Sequence, residues 1–216
     1  MLRTYKYRLY PNRTQDKQLD FMLWQMRNVY NDALAERRWR WQRSRLSTSY
    51  NQQWQRLKKL RHELPDEIGQ LSATAMQQML RRLDKAYRAF YKGIRGIPRF
   101  KNRKRFKSMA YRHGDGCKLR GNRFYVYRVG EVRMNLHRPI PEGAKFGQVI
   151  IKRNLGKWYV YFQLHLPDIE PPLHTGTDVG IDVGISSLLS LSNGVQFDNP
   201  RWLRNNLKKL RLLNRR

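Results

Sequence analysis

The sequence predicts an α+β chain of several parts. These are a small β-barrel, a helical module set between the first barrel strand and the others, and a separate strand region near the end. Three patterns predict it. Alternation of period two occupies residues 2–10 and returns over 108–166. Apolar spacings of three and four fill most of 12–92. A proline-bearing stretch at 167–176 precedes β-branched residues interleaved with glycine and aspartate at 177–185. With 216 residues and 40% hydrophobic composition, the chain can fill one large core or two small ones.

Residues 2–10 alternate basic with aromatic or apolar side chains, so they form a strand with one wet, positive face that carries Lys6 and Arg8. Pro11-Asn12 ends it, and Asn12 or Thr14 can cap the next helix. That helix runs from Gln15 to about Gln42, with Leu19, Met22, Leu23, Met26, Val29, Tyr30, Ala33 and Leu34 on its apolar face. A second helix covers roughly Asn51 to Glu63 and is stopped by Pro65. A third runs from about Ser72 to Tyr91 and is closed by Gly93 and Gly96-Ile97-Pro98.

Beyond Ser108 the runs 123–128, 131–136, 148–153 and 157–166 read as strands. Turn residues lie between them at Gly121-Asn122, Gly130, Pro139 to Gly143 and Asn154 to Gly156. Four or five such strands, completed by residues 2–10, suit a small barrel of the oligonucleotide-binding kind. The histidines, at 62, 113, 137, 165 and 174, have no metal-ligand spacing and read as ordinary barrel or surface residues.

Charge is the strongest global signal. Forty-five Lys and Arg against 16 Asp and Glu give a net +29, which calls for a polyanionic partner. Twelve Tyr, eight Phe and six Trp are mixed among the cations, a composition suited to base stacking beside phosphate contacts. Nucleic acid is therefore the expected partner. No apolar run approaches the ~20 residues of a membrane span. The single Cys117 rules out an internal disulfide and a four-cysteine zinc ribbon within these residues. The expected setting is the reduced cytoplasm, in association with the nucleoid.

The charge is densest at 98–107, where Arg99, Lys101, Arg103, Lys104, Arg105 and Lys107 are interleaved with Phe100 and Phe106. A purely solvating loop has no use for two phenylalanines. The segment is expected to bind phosphate by counterion release, with stacking by its rings. It does not discriminate RNA from DNA.

The stretch 177–194 reads as a buried strand, a glycine passage, a second apolar strand and a two-residue turn at Asn193-Gly194. Asp182 sits amid Val179, Ile181, Val183 and Ile185, and a carboxylate there is costly to bury without a partner. Gly180 and Gly184 leave room for a ligand to approach the backbone. Asp182 is either a metal-binding carboxylate or an aspartate at a solvated strand end. Residues 194–200 offer a third strand, and a last helix with leucines on one face begins at Arg201. The sequence ends inside that helix.

Taken together, these blocks resemble a family. Tyr5-Lys6-Tyr7-Arg8-Leu9-Tyr10-Pro11, followed by Asn28-Val29-Tyr30-Asn31-Asp32-Ala33-Leu34, resembles the N-terminus of TnpB, also called OrfB. These are transposon-encoded RNA-guided DNA endonucleases related to the type V CRISPR effectors. Leu83 to Phe90 with Gly96 to Lys101 is similar to a second family block, and Gly180-Ile181-Asp182-Val183-Gly184-Ile185 to the first motif of the RuvC nuclease, an RNase H-like domain.

The resemblance implies a wedge barrel from 1–11 and 98–170, a helical recognition module at 12–97, a linker at 171–176, and an incomplete RuvC-like domain at 177–216. It implies guide RNA and target double-stranded DNA as partners, and Mg²⁺ as cofactor with Asp182 as a catalytic ligand. It also places Gln77 and Gln78 where the family contacts the DNA motif beside the target. Glutamine can pair bidentately with adenine in a major groove; both residues can equally be ordinary exposed helix positions.

The family's remaining RuvC carboxylates and its zinc ribbon have no counterpart here. Asp182 alone cannot hold two Mg²⁺, because a two-metal centre needs several bridging carboxylates. Three readings follow. The chain is the N-terminal half of a guided nuclease, inactive alone and completed by a missing C-terminal half; or a nuclease-dead RNA-guided regulator; or a generic basic RNA-binding protein.

Overall fold

A computed structural model describes residues 1–168, 176 and 178–214. The chain separates into two compact units, Met1–Asp168 and Ile169–Arg216. The expected linker at 171–176 lies outside the described residues except for Gly176.

The first unit is built on a closed barrel of seven strands in the order β1-β5-β4-β3-β2-β6-β7. In chain order these are β1 (Leu2–Tyr10), β2 (Ser108–His113), β3 (Gly116–Arg120), β4 (Arg123–Val126), β5 (Gly130–Asn135), β6 (Lys145–Asn154) and β7 (Lys157–His165). Strand β1 completes the ring by pairing antiparallel with both β5 and β7. Its odd positions Tyr5, Tyr7 and Leu9 face the core, where they meet Trp158, Val160, Phe162 and Leu164 of β7. The amino terminus is fixed at the same edge, donating to the Leu166 carbonyl at 2.8 Å.

Strands β2 and β3 are more than the sequence reading had named individually. Their inward residues, Met109, Tyr111 and Cys117, are few and are interrupted by a corner at Gly114 and Gly116, with φ of +86° and +80°. Gly116 has a second constraint. A Cβ there would lie 2.4 Å from the Ser72 hydroxyl, because the barrel corner touches the start of the third helix.

Between β1 and β2 come α1 (Arg13–Ser44), α2 (Tyr50–Glu63), a short 3₁₀ turn at Ile68–Gln70, and α3 (Ala73–Tyr91). Asn12 caps α1 in a reciprocal box with Gln15. The first turns of α1 are then tied to the barrel by three contacts. Gln15 donates to the Glu131 carbonyl at 3.0 Å, the Trp158 indole donates to Asp16 at 2.6 Å, and Arg153 pairs with Asp20. Buried Arg37 joins all three helices, donating to Gln53 of α2 at 2.8 Å and to Asp84 of α3 at 3.3 Å.

In the second unit the described elements are β8 (Ile181–Asp182), β9 (Ser187–Leu191) and β10 (Gln196–Asp198) in one antiparallel sheet, and α4 (Trp202–Leu213). The strand through Asp182 is not buried as expected. It pairs over two residues, and Val179, Ile181, Val183 and Ile185 are all exposed, because no described element of this unit covers the sheet. No residue of α4 is buried either. The Asn193-Gly194 turn also differs. Leu191 donates to the Val195 carbonyl at 2.8 Å, so the loop holds three residues, with Gly194 at φ +86°.

The β6–β7 hairpin carries Leu155 at φ +47° followed by Gly156 at φ +73°, both in the left-handed region. Leu155 is 89% exposed and gains little from packing. A leucine is strained there by about 1 kcal/mol, and asparagine tolerates the conformation. Leu155→Asn is expected to raise Tm by ~2–4 °C in thermal unfolding; an unchanged or lower Tm would argue against strain at this turn.

Candidate nucleic-acid interface

Two surfaces of the first unit present cations beside aromatic rings. On the barrel, Lys6 and Arg8 face outward, as the alternation of β1 requires. The sheet register sets Lys6 opposite Tyr161 and Arg8 opposite Tyr159. The Lys6 ammonium lies 4.4 Å from the Tyr159 ring centroid, and the Arg8 guanidinium lies 5.1 Å from that of Tyr10. Across a shallow depression of about 590 Å³, Arg138 stacks 4.1 Å over Tyr5. The Arg8 Nε is buried without a hydrogen-bond partner.

Sequence reading missed Tyr159, Tyr161 and Arg138 as members of this face. For the tyrosines the signal was present: in Lys157-Trp-Tyr-Val-Tyr-Phe they fall on the side opposite Trp158, Val160 and Phe162. What alternation could not supply was the partner strand.

The second surface is the segment 98–107, which returns the chain from α3 to β2. Three anchors hold it. Arg38 donates to the Pro98 carbonyl at 2.5 Å. The Asn31 side chain grips Lys101 twice, accepting from its amide at 2.8 Å and donating to its carbonyl at 3.0 Å. Phe106 inserts into the core against Tyr30, with ring centroids 6.0 Å apart.

Phe106 is thus a core residue, and its ring is not available to stack on a base. Phe100 is half exposed, with the Arg38 guanidinium 5.0 Å from its centroid. Lys101 is partly buried, which pushes its pKa down, and Arg82 and Arg105 add to that shift. Arg99, Arg103, Lys104, Arg105 and Lys107 are exposed.

Gln77 and Gln78 are half-buried on α3, not freely exposed. Gln78 accepts from the Gln148 amide of β6 at 3.3 Å, so its side chain is already engaged with the barrel.

Asp182 stands apart from both surfaces in the sequence and lies on the exposed β8. The glycines flanking it serve the chain itself. The Gly180 amide donates to the Ser192 hydroxyl at 2.9 Å, and a Cβ at Gly184 would sit 3.1 Å from the Ser187 carbonyl. Among the described residues no group of three or more His, Cys, Asp or Glu could hold a metal ion. That donor set does not fit a two-metal centre, which needs carboxylates from several elements. Among the same residues, no helix is long and apolar enough to cross a membrane.

Residues 1–45 match a family model of the OrfB IS605 type, described as a helix-turn-helix domain. Over 96% of its length the chain is 31% identical to a candidate RNA-guided DNA endonuclease of Streptomyces pristinaespiralis, of which it covers 52%. The chain is thus similar, along nearly its whole length, to proteins of the TnpB/OrfB type. A second relative is InsQ of Escherichia coli (strain K12), another candidate RNA-guided DNA endonuclease, 27% identical over 99% of this chain and 53% of InsQ. The chain therefore spans about half the length of the curated relatives it matches.

Two solved structures also align at 12% identity. A CRISPR-Cas12f ternary complex gives a TM-score of 0.45, covering 92% of this chain and 52% of that one. A Cas12f1–sgRNA–target DNA complex gives 0.44, covering 97% and 68%.

The two phenylalanines of the basic segment are expected to separate cleanly in denaturant unfolding. Phe106→Ala should cost about 3–5 kcal/mol, as a buried aromatic truncation does, and Phe100→Ala less than about 1 kcal/mol. Equal losses would contradict the assignment of one ring to the core and the other to the surface.

Proposed function

We propose that this chain is the nucleic-acid-recognition part of a TnpB-type RNA-guided DNA endonuclease, binding guide RNA and target double-stranded DNA. The observation that carries the reading is the pairing of cations with aromatic rings on a barrel face, together with an anchored basic segment, in a chain of net charge +29. Cations so placed bind a phosphate backbone by releasing its counterions, while the neighbouring rings offer faces for bases. In such systems the protein reads shape and a short flanking motif, and base pairing reads sequence.

In this reading the barrel of 1–11 and 98–170 acts as the wedge. The helices of 12–97 form the recognition module, with Gln77 and Gln78 at the DNA motif beside the target. Lys6, Arg8, Arg99, Lys101, Arg103, Lys104, Arg105 and Lys107 hold the backbone, and Phe100 stacks. Residues 177–216 begin the RuvC-like domain, and Asp182 is one of its Mg²⁺ ligands. The exposed Ile181, Val183, Ile185 and Leu203 want an apolar cover, which the remainder of a nuclease would provide. These 216 residues by themselves do not cut DNA, since Asp182 lacks the set of converging carboxylates that a metal pair needs.

The reading is tested by neutralising Arg99, Arg103, Lys104, Arg105 and Lys107 together. Each lost phosphate contact should flatten the dependence of log K on log salt by about 0.7 for a single strand. A slope unchanged by all five substitutions would reject the segment as a phosphate contact. In parallel, incubation with Mg²⁺ and matched duplex should leave the DNA intact, and cleavage that Asp182→Ala abolishes would refute the inactive-alone reading.

A further inference from the structure

A second feature lies within the helical module, away from the barrel face. The C-terminal halves of α1 and α3, together with residues 45–49, enclose a cavity of about 530 Å³. Its volume falls in the range of small-molecule pockets.

The polar lining is buried and incompletely satisfied. Arg37 is 8% exposed; its Nε and Nη1 are bonded to Gln53 and Asp84, but its Nη2 has no partner. Arg38 spends one nitrogen on the Pro98 carbonyl and leaves its Nε buried and unpaired. Thr48 is 6% exposed, and its hydroxyl is unpaired as well. All three residues line the same cavity. A buried unpaired donor costs about 1–3 kcal/mol, more when charged, so three around one cavity ask for an acceptor.

Charge gives the sign of that acceptor. Arg37, Arg38 and Arg88 line the cavity, where among the described residues Asp84 is the acidic one, and Asp84 is shared between Arg37 and Arg88, the latter at 2.9 Å. The balance is positive, so the cavity favours an anion.

The remaining walls are aromatic. Tyr87 and Tyr91 lie one turn apart on α3 with ring centroids 5.9 Å apart, and Trp41 faces them from α1. Tyr91 is 71% exposed and Trp41 51%, a large uncovered aromatic area for so polar a chain. Water alone would satisfy the donors and leave these rings uncovered. A ligand with a planar ring and an attached phosphate satisfies both. Ile97, two residues before Arg99 of the basic segment, also lines the cavity.

We propose that this cavity receives one everted nucleotide of a single-stranded nucleic acid, its base stacked between Trp41 and Tyr91 over a floor formed by buried Tyr87, and its phosphate accepting from Arg37, Arg38 and the Thr48 hydroxyl. The proposal rests on the reading that the chain binds nucleic acid. It adds a specific pocket to a surface otherwise described by charge.

The test uses the full chain with single-stranded RNA carrying 4-thiouridine and, separately, DNA of the same sequence carrying 4-thiothymidine. After irradiation the adducts are mapped by peptide mass spectrometry. Adducts on Trp41 or Tyr91 are expected, and whichever strand gives them identifies the source. Exposed Tyr91→Ala and near-isosteric Thr48→Val keep the fold, which circular dichroism checks. Tyr91→Ala should weaken binding about five- to a hundredfold, the loss of one stacked base. Thr48→Val should weaken it about five- to tenfold, the loss of one buried hydrogen bond. Adducts confined to the barrel face or to 99–107, with both variants binding like the parent, would overturn the pocket and leave nucleic-acid binding standing. No binding of either strand at low salt would overturn both.

Discussion

The structure of the first unit depends on one long-range constraint: the barrel is closed by its first strand. β1 pairs residue 2 with residue 165 and residue 9 with residue 158, so the two ends of a long segment must meet before the core is complete. Everything between β1 and β2 must then leave the barrel and come back to it. The departure is fixed by the Asn12 cap and by Gln15, Asp16 and Asp20 on barrel partners. The return is fixed by Asn31 on Lys101 and by Phe106 in the core. A helical module tethered at both ends has little freedom, and that gives the basic return segment a defined conformation.

That geometry divides the cations into two kinds. Arg37 and Arg153 are committed to carboxylates and hold elements together, while Arg88 pairs with Asp84 within α3. Lys6 and Arg8 lie over tyrosine faces, and Arg103, Lys104, Arg105 and Lys107 stand in solvent. With 45 Lys and Arg against 16 acidic residues, most cations cannot find an internal partner. Rings beneath them leave their positive charge available to a phosphate while adding a stacking face.

Much of the first unit was legible in the sequence, because its elements follow clean periodicities. The three helices and the N-terminal strand carry regular apolar spacing and recognisable stops. Strands β2 and β3 were harder, since their core positions are few and a left-handed corner at Gly114 to Gly116 interrupts the alternation. The candidate site was only half legible. Local pattern located Lys6, Arg8 and the run at 98–107, but Phe106 looks like a stacking residue until Tyr30 is seen beside it. Tyr159, Tyr161 and the Arg37–Asp84–Thr48 cavity depend on residues far apart in the chain, which spacing cannot bring together. In the second unit, β-branched alternation around Asp182 argued for burial, and pattern alone could not say whether anything covers that strand.

The central claim is that the cationic and aromatic surfaces hold one particular RNA rather than polyanions in general. The most direct measurement is to express the chain with its native flanking transcript, purify it at ~0.5 M salt, where loose phosphate contacts are largely released, and sequence the RNA that remains. A single structured transcript from beside the coding region is the expected result. A mixture of ribosomal and transfer RNA would contradict the account and leave a general basic nucleic-acid binder.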